Sequence, residues 1–197
     1  MHPLNEVFKS QAVLEDYKQS NFTKGHLAPC SHMNTEEDKE ATFTLTNIVP
    51  QVDKSNSGPW EKWEEKVKKK IKPHCRGEMY VITGVMPYES NTSLINDRVA
   101  VPEYIWSAYC CPTYKIPNGL KDKGSINMQQ FFPTYGAVGR NDPNSNEKIV
   151  NKTDTSQGYD VREMPLVELE NILKERMNKE EEVRLFKDSC KKDKTEI

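Results

Sequence analysis

Between residues 59 and 72, Trp60, Trp63, Val67 and Ile71 recur every three to four positions, the spacing that lines one face of a helix. Ser57-Gly58-Pro59 opens this helix, because proline suits the first helical turn, and Pro73 stops it. Its remaining faces carry Glu61, Glu64, Glu65 and the lysines Lys62, Lys66, Lys68, Lys69 and Lys70. A second helix is expected from Pro165, with Leu166, Leu169, Ile172, Leu173 and Met177 turned inward. Elsewhere the pattern is that of strands. Phe22 to Pro29 reads as a short strand, and Ala41 to Asn47 alternates Phe43 and Leu45 with Thr42, Thr44 and Thr46, as a half-buried strand would. Glu78 to Val85 is a β-rich core run, Val99 to Tyr109 a strand or pair broken at Pro102, and Tyr159 to Met164 a last strand. Polar composition assigns loops to Ser31–Lys39, Gln51–Gly58 and residues 140–157, and Pro112–Asn127 reads as a hairpin or loop. Charge density rises after Asn178. The expected organisation is therefore one domain over 1–177 and a charged helical or disordered tail over 178–197. The mixture of strands and helices predicts an α+β domain with a mixed, mainly antiparallel sheet.

Composition narrows the functional classes. The chain has 197 residues, enough for one domain with a real core, and a formal net charge of −2. An electrostatic nucleic-acid binder would be strongly basic, so any phosphate contact must come from a local cluster of cations. No apolar run approaches the length of a membrane span. The first residues lack the apolar core of a signal peptide, which read alone predicts a cytoplasmic protein. Three N-glycosylation triplets, at Asn21, Asn91 and Asn151, point the other way. Five cysteines leave at least one unpaired within the chain, and the adjacent Cys110 and Cys111 each need a distant partner. Zinc ligation by His74, Cys75, Cys110 and Cys111 is a weaker alternative use of the same residues.

Chemistry concentrates in Lys24-Gly25-His26-Leu27-Ala28-Pro29. Glycine before histidine admits a close approach of backbone or substrate, and a neutral imidazole can take a proton from water. Leu45-Thr46-Asn47-Ile48-Val49-Pro50-Gln51 follows, with Asn56 nine residues beyond Asn47, and Trp60 and Glu64 four and eight beyond Asn56. Each has an ordinary structural use as well. Asn47 can satisfy backbone groups at a strand end, Asn56 can cap a helix, and Glu64 can pair with Lys68 one turn on.

Taken together, these residues resemble the DNA/RNA non-specific endonuclease family. Its signature is Asp-Arg-Gly-His, a Thr/Ser-Asn-Ile/Ala-x-Pro segment, and then asparagine, tryptophan and glutamate at the spacings seen here. The resemblance covers roughly residues 5–175 and is most specific in the first 70. It implies a ββα-metal (His-Me finger) nuclease fold between about residues 22 and 72. It also implies magnesium-dependent hydrolysis of phosphodiester bonds in DNA, RNA or both. His26 would be the general base and Asn56 the direct ligand of a largely hydrated magnesium ion, manganese or another divalent ion being the substitute. Glu64 would hold the ion's water shell, Asn47 would sit at the catalytic centre, and Lys24 and Lys68 would approach phosphate. The same resemblance predicts a secreted or extracellular protein.

Two departures matter. The family's Asp-Arg is Thr23-Lys24 here, which removes a carboxylate and replaces a bidentate phosphate fork with a point charge. Only 25 residues precede His26, so the sheet is expected to lack the family's first strands. The Thr23-Lys24 change keeps a second reading open, a nuclease-like fold that binds nucleic acid or protein without cleaving. A third is an extracellular interaction domain with no nucleic-acid role.

Overall fold

Helix formation over 59–72 follows the apolar stripe. In a computed structural model, which describes residues 11–18, 20–90, 92–115, 133–187 and 190, Trp60, Trp63, Val67 and Ile71 are all buried. In chain order the elements are α1 (Leu14–Lys18), β1 (Thr23–His26), α2 (Glu36–Ala41), β2 (Ile48–Gln51), α3 (Asp53–Asn56), α4 (Pro59–Lys66), β3 (Tyr80–Met86), β4 (Leu94–Ile95), β5 (Val99–Ala100), β6 (Tyr104–Cys110), β7 (Thr134–Arg140), β8 (Val161–Met164) and α5 (Leu166–Arg176). α4 runs on through a wide π-type turn, Val67–Ile71, before Pro73 ends it. The strands form an antiparallel sheet in the order β3-β6-β7-β8 and two separate two-stranded ribbons, β1-β2 and β4-β5.

The four-stranded sheet is covered on both faces. Tyr104, Trp106 and Ala108 of β6 pack with Leu166, Leu169 and Leu173 of α5. The intervening Ile105 and Tyr109 meet Trp60, Trp63, Val67 and Ile71. Every residue of β6 is buried, which a strand with layers on both sides requires. Each large apolar side chain so buried stabilises the fold by about 1.5–3 kcal/mol. β7 has no counterpart among the expected elements. Its Gly139 lies under the Trp60 indole, and a Cβ there would come within 2.6 Å of Trp60 Cε3, so the missing side chain is what lets α4 seat on the sheet.

Several expected elements differ. Ala41 to Asn47 is not a strand: it leaves α2 and turns through Leu45–Asn47 as a short 3-10 segment, with Phe43 62% exposed. The Asn47 side chain closes this turn by donating to the Thr42 carbonyl at 2.9 Å, and the second strand of the ribbon begins one residue later. Within the expected loop 31–39, Thr35 accepts a hydrogen bond from the Asp38 amide and caps α2, whose first turn carries three acids. α3 likewise lies inside an expected loop. The loop after Arg140 is not free, since that buried guanidinium donates to the carbonyls of Val150, Asp142, Ser145 and Glu147. Most of the expected Pro112–Asn127 hairpin or loop lies outside the described residues.

Met177, expected inward, is exposed at the end of α5. The expected tail departs from a solvated extension as well. Val183, Leu185 and Phe186 pack against the core beside α5, and Cys190 is bonded to Cys110. Cys75 pairs with Cys111 and Cys30 is free, so the sulfurs a zinc site would need are committed to disulfides. No helix among the described residues is long and apolar enough to cross a membrane.

Candidate active site

β1 and β2 pair in the register Thr23↔Gln51, Lys24↔Pro50, Gly25↔Val49 and His26↔Ile48. Because strand side chains alternate, Lys24 and His26 share one face of the ribbon and Thr23 shares the other with Gln51. Gly25 is buried, and a Cβ on it would lie 2.6 Å from Gln51 Cβ, so the glycine before the histidine makes room for the Gln51 side chain. That side chain is fully buried and donates to Ser55 Oγ at 3.1 Å, and Ser55 donates to the Arg140 carbonyl at 3.0 Å. Asn141 completes the attachment. Its amide donates to the carbonyls of Pro50 and Pro102 and accepts from Val52 N, tying the end of the ribbon to the main sheet.

His26 is half-buried, with the Phe43 ring edge-on to the imidazole at a centroid distance of 4.8 Å. Its Nε2 is buried with no hydrogen-bond partner among the described residues, which leaves Nδ1 as the nitrogen able to meet water. Burial first, and the Lys24 charge second, push its pKa below the ordinary histidine value, so the ring is neutral at neutral pH. Asn47 grips the chain just beyond. Its Oδ1 accepts from Ala28 N at 2.9 Å, and its Nδ2 donates to the carbonyls of Ala28 and Thr42. The backbone thus takes both amide hydrogens of Asn47.

Asn56, at the end of α3, donates from Nδ2 to Thr23 Oγ1 at 3.1 Å, joining the expected ion ligand to the strand that carries His26. Glu64 lies on α4 without a cationic partner among the described residues; the ion pairs near it are Lys69–Glu65 and Lys66–Glu163. Burial raises its pKa to about 8, and Glu61 adds to the rise. The Trp60 indole N–H opposes the shift, although it lies short of a well-formed hydrogen bond to any group. Lys24 and Lys68 are exposed.

The residue that sequence reasoning missed is His32. Its Nε2 meets the Glu64 carbonyl at 3.1 Å, pinning the segment after β1 to α4. Burial lowers its pKa, so it too is neutral at neutral pH. Nothing in its spacing from His26 distinguishes it from a surface histidine.

A metal ion here would have few protein ligands. No group of three His, Cys, Asp or Glu side chains among the described residues could hold one. The candidate donors are the Asn56 amide oxygen and the Glu64 carboxyl group, which a cation beside it would favour in its ionised form; both are hard oxygens. Such a set suits a cation that keeps most of its water, as magnesium does.

A two-stranded ribbon ending in a neutral histidine, backed by a helix that supplies a carboxylate, is the arrangement of a ββα-metal nuclease. The sequence profile of the DNA/RNA non-specific endonuclease family matches residues 4–172, and the chain belongs to that family. Among its relatives, the human endonuclease domain-containing 1 protein is 30% identical over 118 residues, 59% of this chain and 22% of that protein. Human mitochondrial endonuclease G is 25% identical over 150 residues, 66% of this chain and 50% of that protein. The chain therefore spans half or less of the length of these two relatives. A crystal structure of an EndoG/EndoGI complex superposes with a TM-score of 0.51 at 21% identity, over 69% of this chain and 54% of that one. This supports the fold.

Proposed function

We propose that this domain hydrolyses phosphodiester bonds in DNA, RNA or both, with little sequence preference and with magnesium as the ion. The observation that carries the reading is the hydrogen bond from Asn56 to the strand bearing a neutral, half-buried His26. His26 takes a proton from the attacking water through Nδ1. Asn56 Oδ1 would hold the ion and Glu64 would bind its water, while Lys24 and Lys68 approach the phosphate. When bound, the ion neutralises charge developing on the phosphate and leaving oxygen. Asn47 acts by fixing the backbone that follows His26. Manganese would serve in place of magnesium, since the same hard oxygens suit both.

Two disulfides in one domain support an oxidising compartment, hence secretion. The test of the activity is plasmid nicking with added magnesium beside a His26→Ala control and a chelator control. A second reading, binding without cleavage, is favoured by Thr23-Lys24 standing where the family has Asp-Arg. Retained nucleic-acid binding with no nicking would select it.

A further inference from the structure

The Thr23 hydroxyl has one hydrogen. It donates that hydrogen to the Gln51 carbonyl at 2.8 Å, across the ribbon pair in which the two residues face each other. What remains on Oγ1 is acceptor capacity only. The Asn56 amide group 3.1 Å away must therefore present Nδ2 to it, and the opposite end of the amide, Oδ1, is turned away from the strand. No hydrogen bond to Oδ1 occurs among the described residues, so the oxygen stands free for another electropositive partner.

From this geometry we infer that Thr23 is a positioning residue that sets which end of the Asn56 amide is offered to the metal ion. The inference rests on the reading of Asn56 as the ion's ligand given above. An amide whose two ends are nearly alike in size can sit either way round. Only its hydrogen-bond partners decide, and the wrong orientation points a donor at a cation. Here the decision comes from a neutral side chain. The carboxylate that the family carries at this position is a pure acceptor and would select Nδ2 by charge. Threonine selects it because the Gln51 carbonyl already holds its only hydrogen. The aspartate-to-threonine change thus keeps the orienting function while removing a negative charge from the neighbourhood of the ion.

The experiment is a titration with manganese alone, without nucleic acid, followed by electron paramagnetic resonance of the free ion. Wild type, Thr23→Val, Thr23→Ser and Asn56→Ala are compared. Because the same hydroxyl completes the Asn21 glycosylation triplet, the proteins are made in a host that adds no N-glycans. Thr23→Val keeps the shape and loses the hydroxyl. It is expected to weaken manganese binding about tenfold, the usual effect of removing a partner that orients a ligand. Thr23→Ser is expected to bind within about twofold of wild type, because serine carries the same donor and acceptor. If Thr23→Val binds as tightly as wild type while Asn56→Ala loses binding, the positioning role is overturned and the ion site stands. If wild type and Asn56→Ala bind alike, the ligand assignment itself fails and takes this inference with it. Should Thr23→Val not fold, Thr23→Cys against Thr23→Ser poses the same question, since a thiol is a weak acceptor. Equal binding by those two overturns the role.

Discussion

Two sets of partly or fully buried polar residues differ in how completely they are satisfied. On the α5 side of the sheet, Arg140 is 2% exposed and gives its hydrogens to four carbonyls while stacking on the Tyr104 ring. Beside it Glu103 accepts from Ser145 and from Arg176, and Arg176 also reaches Glu147 and the Pro87 carbonyl. On the ribbon side the corresponding groups are left open. His26 Nε2, Gln51 Oε1 and Trp60 Nε1 are buried without partners among the described residues, and Glu64 lacks a cation. An unpaired buried polar group destabilises by about 1–3 kcal/mol; the Trp106 indole N–H on the α5 face and the Tyr17 hydroxyl are unpaired too, so the contrast is between the Arg140–Glu103 cluster and the ribbon groups, not between whole faces of the sheet. A satisfied cluster holds the fold together.

The comparison breaks most directly at His26. His26→Ala is expected to lower cleavage by about two to four orders of magnitude with an unchanged unfolding transition. In wild type the loss of rate at low pH should set in below the pH at which an ordinary histidine protonates, because burial and the Lys24 charge depress the folded pKa. A steady-state pH profile and a melting curve read both. The mirror experiment is Arg140→Ala, which leaves four carbonyls without their donor. It should destabilise by about 3–5 kcal/mol in urea titration, with activity following only the folded fraction.

Glu64→Gln sharpens the contrast by pH. The folded pKa is about 8 and the ordinary value 4.5, so between them the folded chain holds a proton the unfolded chain has released. Stability therefore falls as pH rises through that window. In a chelator, Glu64→Gln should exceed wild type by about 1–2 kcal/mol at pH 8, discounted for partial exposure. Near pH 4 the two should coincide. A difference that does not change with pH would remove Glu64 from the unsatisfied set. The smallest effect is expected at Lys24→Arg, which should raise kcat/KM by up to roughly tenfold, since charge is kept and only fork geometry improves. A fall in kcat/KM at matched salt would show that Thr23 and Lys24 form a pocket fitted to lysine.

Legibility in the sequence followed the kind of interaction. α4, α5 and the strands β3 and β6 were visible because burial of one stripe, or of the whole of β6, leaves an apolar record along the chain. α2 was not, since Thr35 and three acids stabilise it without an apolar face. Phe43 and Leu45 misled for the opposite reason. Their alternation with threonines is a strand's pattern, yet the Asn47 side chain bends that segment into a turn, a hydrogen bond no periodicity reports. β7 was hidden by Gly136 and Gly139, which interrupt its apolar run so that Leu169 and Trp60 can pack closely. Of the candidate site, Gly25, His26, Asn47, Asn56 and Glu64 were marked by a spacing that resembles the family's. The Thr23–Asn56 and His32–Glu64 contacts did not, because each joins positions 33 and 32 residues apart through side chains of unremarkable type.

The adjacent cysteines at the end of β6 also decide how the molecule bears load. A pull applied upstream of Cys75 and downstream of Cys190 finds a continuous covalent path through the Cys75–Cys111 bridge, the single peptide link from Cys111 back to Cys110, and the Cys110–Cys190 bridge. The described residues between Cys75 and Cys110, and between Cys111 and Cys190, lie outside that path. The four-stranded sheet and α5 carry no tension, whereas the ribbon, α3 and α4 lie in series with the force. Under traction the ribbon, α3 and α4 would yield first, and the sheet would remain folded behind its two bridges until a reductant opened them.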